Sequence, residues 1–287
     1  MNLEVYSELL GHRSDVNCCA WSPENQTLCS CGGDKTLRLW NVHEKKEIHP
    51  SPISAHRFYV NSVAYSPAGD ILASGSSDTT IKMWSTTSWA VLATLSGHNG
   101  AVRGLAFSPD GCLLASSSDD TMVRVWDVGS HRCIATLEKH TESVTSVCFA
   151  PVGWLLVTGS SSGDVILFDC FKKTSVARIL RADELGVNTV QVSPSGEATD
   201  SAFSFACAGG DGIIRLWSVT LTPAGKSECL EDREESSLPH LCLSPFCSQT
   251  VQCVLSITFH GGKKFSLVRN MGGGGEELTQ TTPLSVN

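Results

Sequence analysis

"LSGHNGAVRGLAFSPDGCLLASSSDDTMVRVWD", residues 95–127, is the stretch that decides the fold of this chain. It contains three short runs in which apolar residues recur, and turn-forming residues such as Pro109 and Gly111 separate them. Short runs of this kind, broken by Gly, Pro, Asp and Ser, predict antiparallel strands rather than helices. The segment also places His98 near its start and Asp120 and Trp126 near its end.

The same pattern recurs along the chain. Trp40, Trp84 and Trp126 each end a strand-like run and are 44 and 42 residues apart, and Phe168 follows after 42 more and Trp217 after another 49. In each of the first four units, one position lies six residues before the Trp or Phe, and a histidine lies 22 residues before that position. These histidines are His12, His56, His98 and His140. A repeat of about 40–45 residues with four short strands is typical of one blade of a β-propeller.

These repeats resemble the WD40 family, most closely in residues 95–127. The resemblance implies an all-β fold, a WD40-type β-propeller of about five four-stranded antiparallel blades. We predict a repeat region over residues 1–219, with blades at about 11–41, 55–85, 97–127, 139–169 and 184–218. Residues 3–10 are predicted to be a closing strand. Since five blades do not complete a ring of seven-blade curvature, we expect an open array with exposed strand edges.

The resemblance also implies a structural role for the repeated polar residues, as a hydrogen-bonded tetrad inside each blade. A reactive constellation would occur once, whereas this one recurs, so we predict no catalytic triad. The expected tetrads are His12–Ser30–Asp34–Trp40, His56–Ser74–Asp78–Trp84, His98–Ser116–Asp120–Trp126, the reduced pair His140–Thr158, and Asp211 with Trp217 in the fifth repeat, which has no histidine.

The fourth repeat has Ser162 in place of the aspartate and Phe168 in place of the tryptophan. A buried histidine without its acidic partner has to find another acceptor. We therefore predict that the fourth blade holds its turn less firmly than the others.

Partner contacts are expected on the face formed by the loops that enter the inner strands. Tyr59 and Arg103 are the best candidate anchors, because protein interfaces favour Tyr and Arg. The alternative is that both are ordinary exposed loop residues. The other residues assigned to this face are Asp15, Asn17, Asn61, Asp119, Thr145, Ser161 and Asn188.

Two short motifs suggest other chemistries, a serine nucleophile and a zinc site. "GSSSG", residues 159–163, matches the G-x-S-x-G pattern of a serine nucleophile, which would make Ser161 catalytic. That role needs a strand followed by a helix, and a second strand-like run follows instead. Cys18, Cys19, Cys29 and Cys31 with His12 could suggest zinc, but adjacent Cys18 and Cys19 would point to opposite faces of a strand. We predict neither a metal nor a cofactor.

The amino-acid composition and charge argue against several classes of binding protein. The chain has 287 residues, of which 41 % are hydrophobic, and a net charge of −8, which disfavours binding to nucleic acid or anionic membranes. No long apolar run and no secretory signal pattern are present. The 13 cysteines are then expected to be free thiols in a reducing compartment. We expect the cytoplasm, with the nucleus left open, and other proteins or peptides as partners.

Residues 1–222 further resemble WD-repeat proteins that carry a SAM domain and a U-box. "DVNCCAWSP", "SSSGDV" and the lengthened fifth repeat carry this resemblance. We predict a non-enzymatic scaffold for protein–protein interaction. The resemblance implies an alternative function, substrate recognition within a U-box-type ubiquitin ligase, in a chain that lacks the SAM domain and the U-box. Residues 220–287 change in composition, and we expect a divergent, largely disordered tail of a truncated product, with a hairpin at 249–270.

Overall fold

The computed structural model describes residues 7–193, 202–224, 252–259 and 264–267, with side chains in 7–193 and 202–219. Every regular element in these residues is a β-strand, which confirms the predicted all-β class. The strands form five antiparallel sheets that follow one another along the chain. Each sheet corresponds to one of the sequence repeats.

The first sheet consists of β1 (Val16–Trp21), β2 (Thr27–Gly32), β3 (Thr36–Asn41), β4 (Lys46–Glu47) and β5 (Ile53–Ser54). Both β4 and β5 pair with β3, so the outer strand of this blade is split into two short pieces. The second sheet consists of β6 (Val60–Tyr65), β7 (Ile71–Ser76), β8 (Ile81–Ser85) and β9 (Val91–Leu95).

The third sheet consists of β10 (Val102–Phe107), β11 (Leu113–Ser118), β12 (Met122–Asp127) and β13 (Arg132–Glu138). The fourth consists of β14 (Val144–Phe149), β15 (Leu155–Ser160), β16 (Val165–Asp169) and β17 (Thr174–Ile179). The fifth consists of β18 (Val187–Val192), β19 (Ala202–Gly209), β20 (Ile214–Ala224), β21 (Gln252–Phe259) and β22 (Lys264–Leu267).

The Ser-Pro turns that join the first two strands of a blade have a local cause. In the third blade the Gly111 amide donates to the Ser108 carbonyl (2.9 Å) and the Leu113 amide donates to the Ser108 hydroxyl (2.9 Å). Gly111 has a φ of 74°, a conformation that glycine adopts without a steric penalty. The turn therefore fixes where the inner strand ends and the next strand begins.

The hydrophobic core lies between neighbouring blades, in four clusters. In the first cluster Trp84 of the second blade packs with Leu37 and Leu39 of the first. The same arrangement recurs at each interface: Trp126 packs with Ile81 and Met83, Phe168 with Val123 and Val125, and Trp217 with Val165 and Leu167. Each blade is thus held by apolar contact with the blade before it.

The two ends of the array are uncovered within the described residues. Val16 begins the first inner strand and is 56 % exposed, whereas its counterparts Val60, Val102, Val144 and Val187 are fully buried. At the other end Ile214 is 71 % exposed and Leu216 is 51 % exposed. Their counterparts in the first four blades are fully buried: Leu37, Ile81, Val123 and Val165, and Leu39, Met83, Val125 and Leu167.

The chain ends are described only in part. Of the predicted closing strand, residues 3–6 lie outside the described residues, and residues 7–10 are not in a strand. Within the predicted hairpin range, β21 pairs with β20 and β22 pairs with β21. The other tail residues, 225–251, 260–263 and 268–287, lie outside the described part.

Candidate functional site

The polar residues repeated in the sequence come together inside the first three blades. In the second blade His56 Nδ1 donates to Asp78 (3.0 Å), the Ser74 hydroxyl lies 2.8 Å from His56 Nε2, and Trp84 Nε1 donates to the same hydroxyl (2.9 Å). The corresponding distances are 2.9, 2.7 and 2.8 Å for His12, Ser30, Asp34 and Trp40, and 2.8, 2.8 and 2.9 Å for His98, Ser116, Asp120 and Trp126.

The aspartate of each complete tetrad ties two loops together. Asp78 accepts from the amide of Arg57 (3.0 Å) in one loop and from the amide (3.1 Å) and hydroxyl (2.6 Å) of Thr80 in the next. Burial by itself would raise the pKa of Asp78, but these hydrogen bonds and His56 lower that pKa to about 2. The carboxylate is therefore charged at neutral pH and fixes the turn between the second and third strands.

The tetrads do not have the properties of a catalytic triad. The Ser74 and Ser116 side chains are fully buried, and each hydroxyl accepts from a tryptophan. Burial lowers the pKa of His98 against the opposing effect of Asp120. A neutral imidazole that donates from Nδ1 can accept the serine proton at Nε2, so this network satisfies every buried polar group without any access for a substrate.

The fourth blade keeps only half of this network. His140 Nε2 lies 2.7 Å from the Thr158 hydroxyl, but His140 Nδ1 is buried and has no hydrogen-bond partner among the described residues. The replacement acceptor expected from the sequence is thus absent. Burial lowers the pKa of His140 to about 4 despite the nearby charge of Asp164. The Ser162 hydroxyl pairs with the Ser160 hydroxyl instead (2.8 Å).

The fifth blade contains a tetrad-like group that the sequence reasoning missed. Asp183 lies four residues before Val187, which is the position of the histidine in the other blades, and it is buried (1 % exposed). Trp217 Nε1 donates to Cys207 at 3.3 Å, and Cys207 occupies the serine position. Asp211 lies 2.6 Å from Arg215, which lowers the Asp211 pKa to about 2, and Asp183 lies 3.7 Å from the same guanidinium.

The longer connection between β18 and β19 hides that alignment. Counting 22 residues back from Asp211 falls within β18, so the rule that finds the other histidines fails here. Counting four residues back from the first apolar residue of the inner strand, Val187, would have found Asp183.

Three residues predicted to contact partners instead join neighbouring blades. The Asn17 side-chain amide donates to the Val60 carbonyl of the next blade (2.9 Å), and the Asn61 amide donates to the Val102 carbonyl (2.8 Å). The Thr145 hydroxyl donates to the Val187 carbonyl (2.5 Å). Asn188, the counterpart in the fifth blade, is exposed. These polar bonds repeat along the inner strands and supplement the apolar contact between blades.

The remaining predicted positions lie on the surface at the same end of the strands. Arg103 forms a bidentate pair with Asp119 (2.8 and 2.6 Å), and the Arg103 side chain is 47 % exposed. The Ser161 hydroxyl donates to Glu142 at 3.0 Å, and Asp15 is exposed. Strand β16 follows the GSSSG segment, so no strand-to-helix turn surrounds Ser161.

An aromatic pair marks this face at the loop that enters β6. Tyr59 is 56 % exposed and its neighbour Phe58 is 57 % exposed. The Lys35 ammonium lies 5.7 Å from the centre of the Phe58 ring. Phe58 was missed in the sequence reasoning, although two adjacent aromatic residues directly before an inner strand are a readable signal.

Other site chemistries find no support in the described residues. They contain no group of three or more His, Cys, Asp or Glu side chains arranged to hold a metal ion. No helix that could cross a membrane occurs in the part of the chain the structure describes. The nine cysteines whose side chains the structure describes are free thiols.

Successive four-stranded blades, a core between them and a tetrad inside them define a β-propeller repeat protein. The model of the WD domain, G-beta repeat, matches residues 3–41, 49–85, 89–127, 131–169 and 174–218. The chain therefore belongs to the WD40-repeat family, whose members act as protein-interaction scaffolds.

Single repeats of this chain are similar to curated WD-repeat proteins. They are WD40 repeat-containing protein HOS15 of Arabidopsis thaliana (38 % identical over 39 residues, 14 % of this chain and 6 % of that protein) and a probable cytosolic iron-sulfur protein assembly protein CIAO1 homolog of Ixodes scapularis (45 % over 42 residues, 15 % and 13 %). The human F-box-like/WD repeat-containing protein TBL1X is 50 % identical over 36 residues, 12 % of this chain and 6 % of that protein. The matches therefore span a small fraction of these relatives.

Proposed function

We propose that this chain is a non-enzymatic scaffold that binds another protein or peptide on the face formed by the loops entering the inner strands. The observation that carries the proposal is the aromatic pair Phe58 and Tyr59, each more than half exposed on that face. Aromatic side chains supply much of the binding energy of protein interfaces. Exposed apolar side chains that lie next to each other are typical of interaction sites.

Charged groups on the same face support this proposal. Arg103 is held in a fixed orientation by its bidentate pair with Asp119, and about half of its side chain remains accessible. A preorganised guanidinium loses little side-chain entropy on binding. It can offer its exposed edge to a backbone carbonyl or a carboxylate of the partner.

Affinity capture with quantitative mass spectrometry tests the proposal. We compare the wild-type chain with Phe58→Ala/Tyr59→Ala and with Tyr59→Ala/Arg103→Ala. We expect both double variants to lose about tenfold or more of the captured partner, since truncating an interface anchor costs about 2 kcal/mol. Both should fold, because these side chains are exposed.

The matched control is Phe171→Ala. Phe171 is 68 % exposed and lies in the turn between β16 and β17, at the opposite end of the strands from Tyr59. This variant should capture as much partner as the wild type. Equal losses for Phe171→Ala and for the Tyr59 variants would contradict the assignment to the loop face.

The ubiquitin-ligase alternative rests on the sequence resemblance of residues 1–222. No feature of the described residues favours it over a general scaffold, and none of the relatives named above is described as a U-box protein. We therefore propose the scaffold function by itself, in the cytoplasm.

A further inference from the structure

One pair of facing positions in the first blade differs from the same pair in every other blade. Cys18 of β1 lies opposite Cys31 of β2. The corresponding pairs are Ser62–Gly75, Gly104–Ser117, Ser146–Gly159 and Thr189–Ala208. Each of those pairs includes a glycine or an alanine, whereas the first blade places a sulfur atom on both strands.

The backbone register brings the two thiols within bonding range. Directly opposed residues of antiparallel strands have Cα atoms about 4.5–5.5 Å apart and side chains on the same face. Disulfides span Cα distances of about 4.4–6.8 Å, so the backbone need not move far. Cys31 is fully buried in the cluster between the first two blades, and Cys18 packs against that cluster.

The other two cysteines of this blade are poorly placed to compete. Cys19 pairs with Ser30, and its side chain points to the opposite face from Cys18. Cys29 pairs with Ala20 and is the diagonal neighbour of Cys18. Diagonal neighbours are about 7–8 Å apart, beyond the range of a relaxed disulfide.

We propose that Cys18 and Cys31 form a thiol pair that a peroxide oxidises to a disulfide. The Cys18 thiolate attacks the hydroxyl oxygen of the peroxide, the O–O bond breaks, and Cys18 becomes a sulfenic acid. The other oxygen leaves as hydroxide or alkoxide and takes a proton from solvent to form water or an alcohol. The sulfur of Cys31 then attacks the sulfur of Cys18. The S–O bond breaks, and the hydroxyl leaves as water with the Cys31 proton.

The environments of the two sulfurs assign these roles. Cys18 is partly exposed and can meet a small oxidant. The facing Cys31 thiol is the main cause that lowers the Cys18 pKa to about 6 against the effect of burial. The contact with Cys18 and burial raise the pKa of Cys31. Cys18 is therefore a thiolate at neutral pH, and Cys31 keeps its proton until the second step.

Peptide mapping of the full chain tests the proposal. The chain is treated with hydrogen peroxide at about pH 7, remaining thiols are alkylated, and cleavage after glutamate at Glu8, Glu24 and Glu44 separates the two cysteines onto peptides 9–24 and 25–44. We expect these peptides to be joined by a disulfide between Cys18 and Cys31. Reduction should release both.

The chain itself supplies the matched variants. Cys18→Ser reproduces Ser62 and Ser146, and Cys31→Ala reproduces Ala208, so both changes fit this blade position. Both variants should lose the cross-link, whereas Cys19→Ser should keep it. Joining through Cys19 or Cys29, or peroxide treatment that leaves Cys18 unlinked, overturns the proposal.

A second measurement does not depend on the disulfide. The alkylation rate of Cys18 in Cys19→Ser should rise through a midpoint near pH 6, the pKa to which Cys31 lowers Cys18. The exposed Cys112, whose pKa is raised chiefly by Asp110, is the internal control and should react only at higher pH. Cys31→Ala should move the Cys18 midpoint upward. An unchanged midpoint in that variant contradicts the pairing of the two thiols.

Discussion

At the scale of single residues, His140 shows the effect of removing one hydrogen-bonding partner from an otherwise repeated network. In three blades the histidine Nδ1 donates to an aspartate, and in the fourth blade the same atom is buried without a partner. Burial then dominates, and the pKa of His140 falls to about 4. The cost of protonating this side chain in the folded state follows directly from the loss of the carboxylate.

This shift predicts a pH dependence of stability. An unfolded histidine has a pKa of about 6.5, so between about pH 6.5 and 4 the unfolded chain binds a proton that folded His140 does not. His140 therefore supports stability above about pH 6.5, and that support is lost as the pH falls towards 4, up to about 3 kcal/mol. Urea unfolding at a series of pH values measures this loss of stability. In His140→Gln, the slope of the unfolding free energy against pH should be smaller in this window, by the equivalent of at most one proton.

His43→Gln is the control, because His43 is exposed. His56 and His98, whose pKa values burial also lowers, contribute to the same window and remain in both variants. Asp34 and Asp78, with pKa values of about 2, act below about pH 4. A slope that is the same in His140→Gln and in the wild type would show that His140 is protonated in the folded state.

At the scale of elements, the turn between the second and third strands of each blade depends on its aspartate. Asp78 holds the amides of Arg57 and Thr80, which belong to two different loops. In the fourth blade Thr141 is equivalent to Arg57 and Asp164 is equivalent to Thr80. The single hydroxyl of Ser162 cannot accept from both amides as the two oxygens of a carboxylate do. The Asp164 carboxylate instead accepts hydrogen bonds from Arg178 of the outer strand (2.6 Å) and from the Arg181 amide (3.1 Å).

Hydrogen exchange tests this difference between blades. We expect amides of residues 158–168 to exchange faster than those of residues 74–84, by about tenfold, since a missing charge-assisted hydrogen bond is worth about 1.5 kcal/mol. Ser162→Asp should slow exchange in the fourth blade, and Asp78→Ser should accelerate it in the second. Equal protection of the two wild-type segments would contradict a weaker fourth turn.

At the scale of the whole molecule, the array of blades presents two unlike apolar ends. The first blade exposes Val16 and Trp21 (52 %), and the fifth exposes Ile214 and Leu216. Inside the array the equivalent positions form the cores between blades. Among the residues that the structure describes, each internal interface therefore buries apolar area, and each end of the array leaves apolar area exposed.

A pair of equivalent substitutions measures the difference between an internal face and an end face. Ile81→Ser should lower the free energy of unfolding by about 3 kcal/mol or more, because Ile81 is fully buried. Ile214→Ser should change it by less than about 0.5 kcal/mol, because Ile214 is 71 % exposed. Urea unfolding gives both values. A large loss for Ile214→Ser would mean that this end is covered in solution.

The repeated architecture of this protein can be read from its amino-acid sequence. Strand alternation, the Ser-Pro turns and the spacing of His, Asp and Trp are local signals, so they placed each blade, and they named the tetrad residues that lie together in the first three blades. The repeat also argued against a catalytic reading of Ser161, because a second strand, β16, follows that turn.

The contacts between strands and between blades become visible only in the folded chain. Asn17, Asn61 and Thr145 join neighbouring blades through backbone carbonyls of the next blade, and Cys18 lies opposite Cys31. Ile214 is exposed, although an identical residue at position 81 is buried. These outcomes depend on register and on the presence of a neighbouring blade. Such contacts join residues far apart in the chain, and no local pattern encodes them.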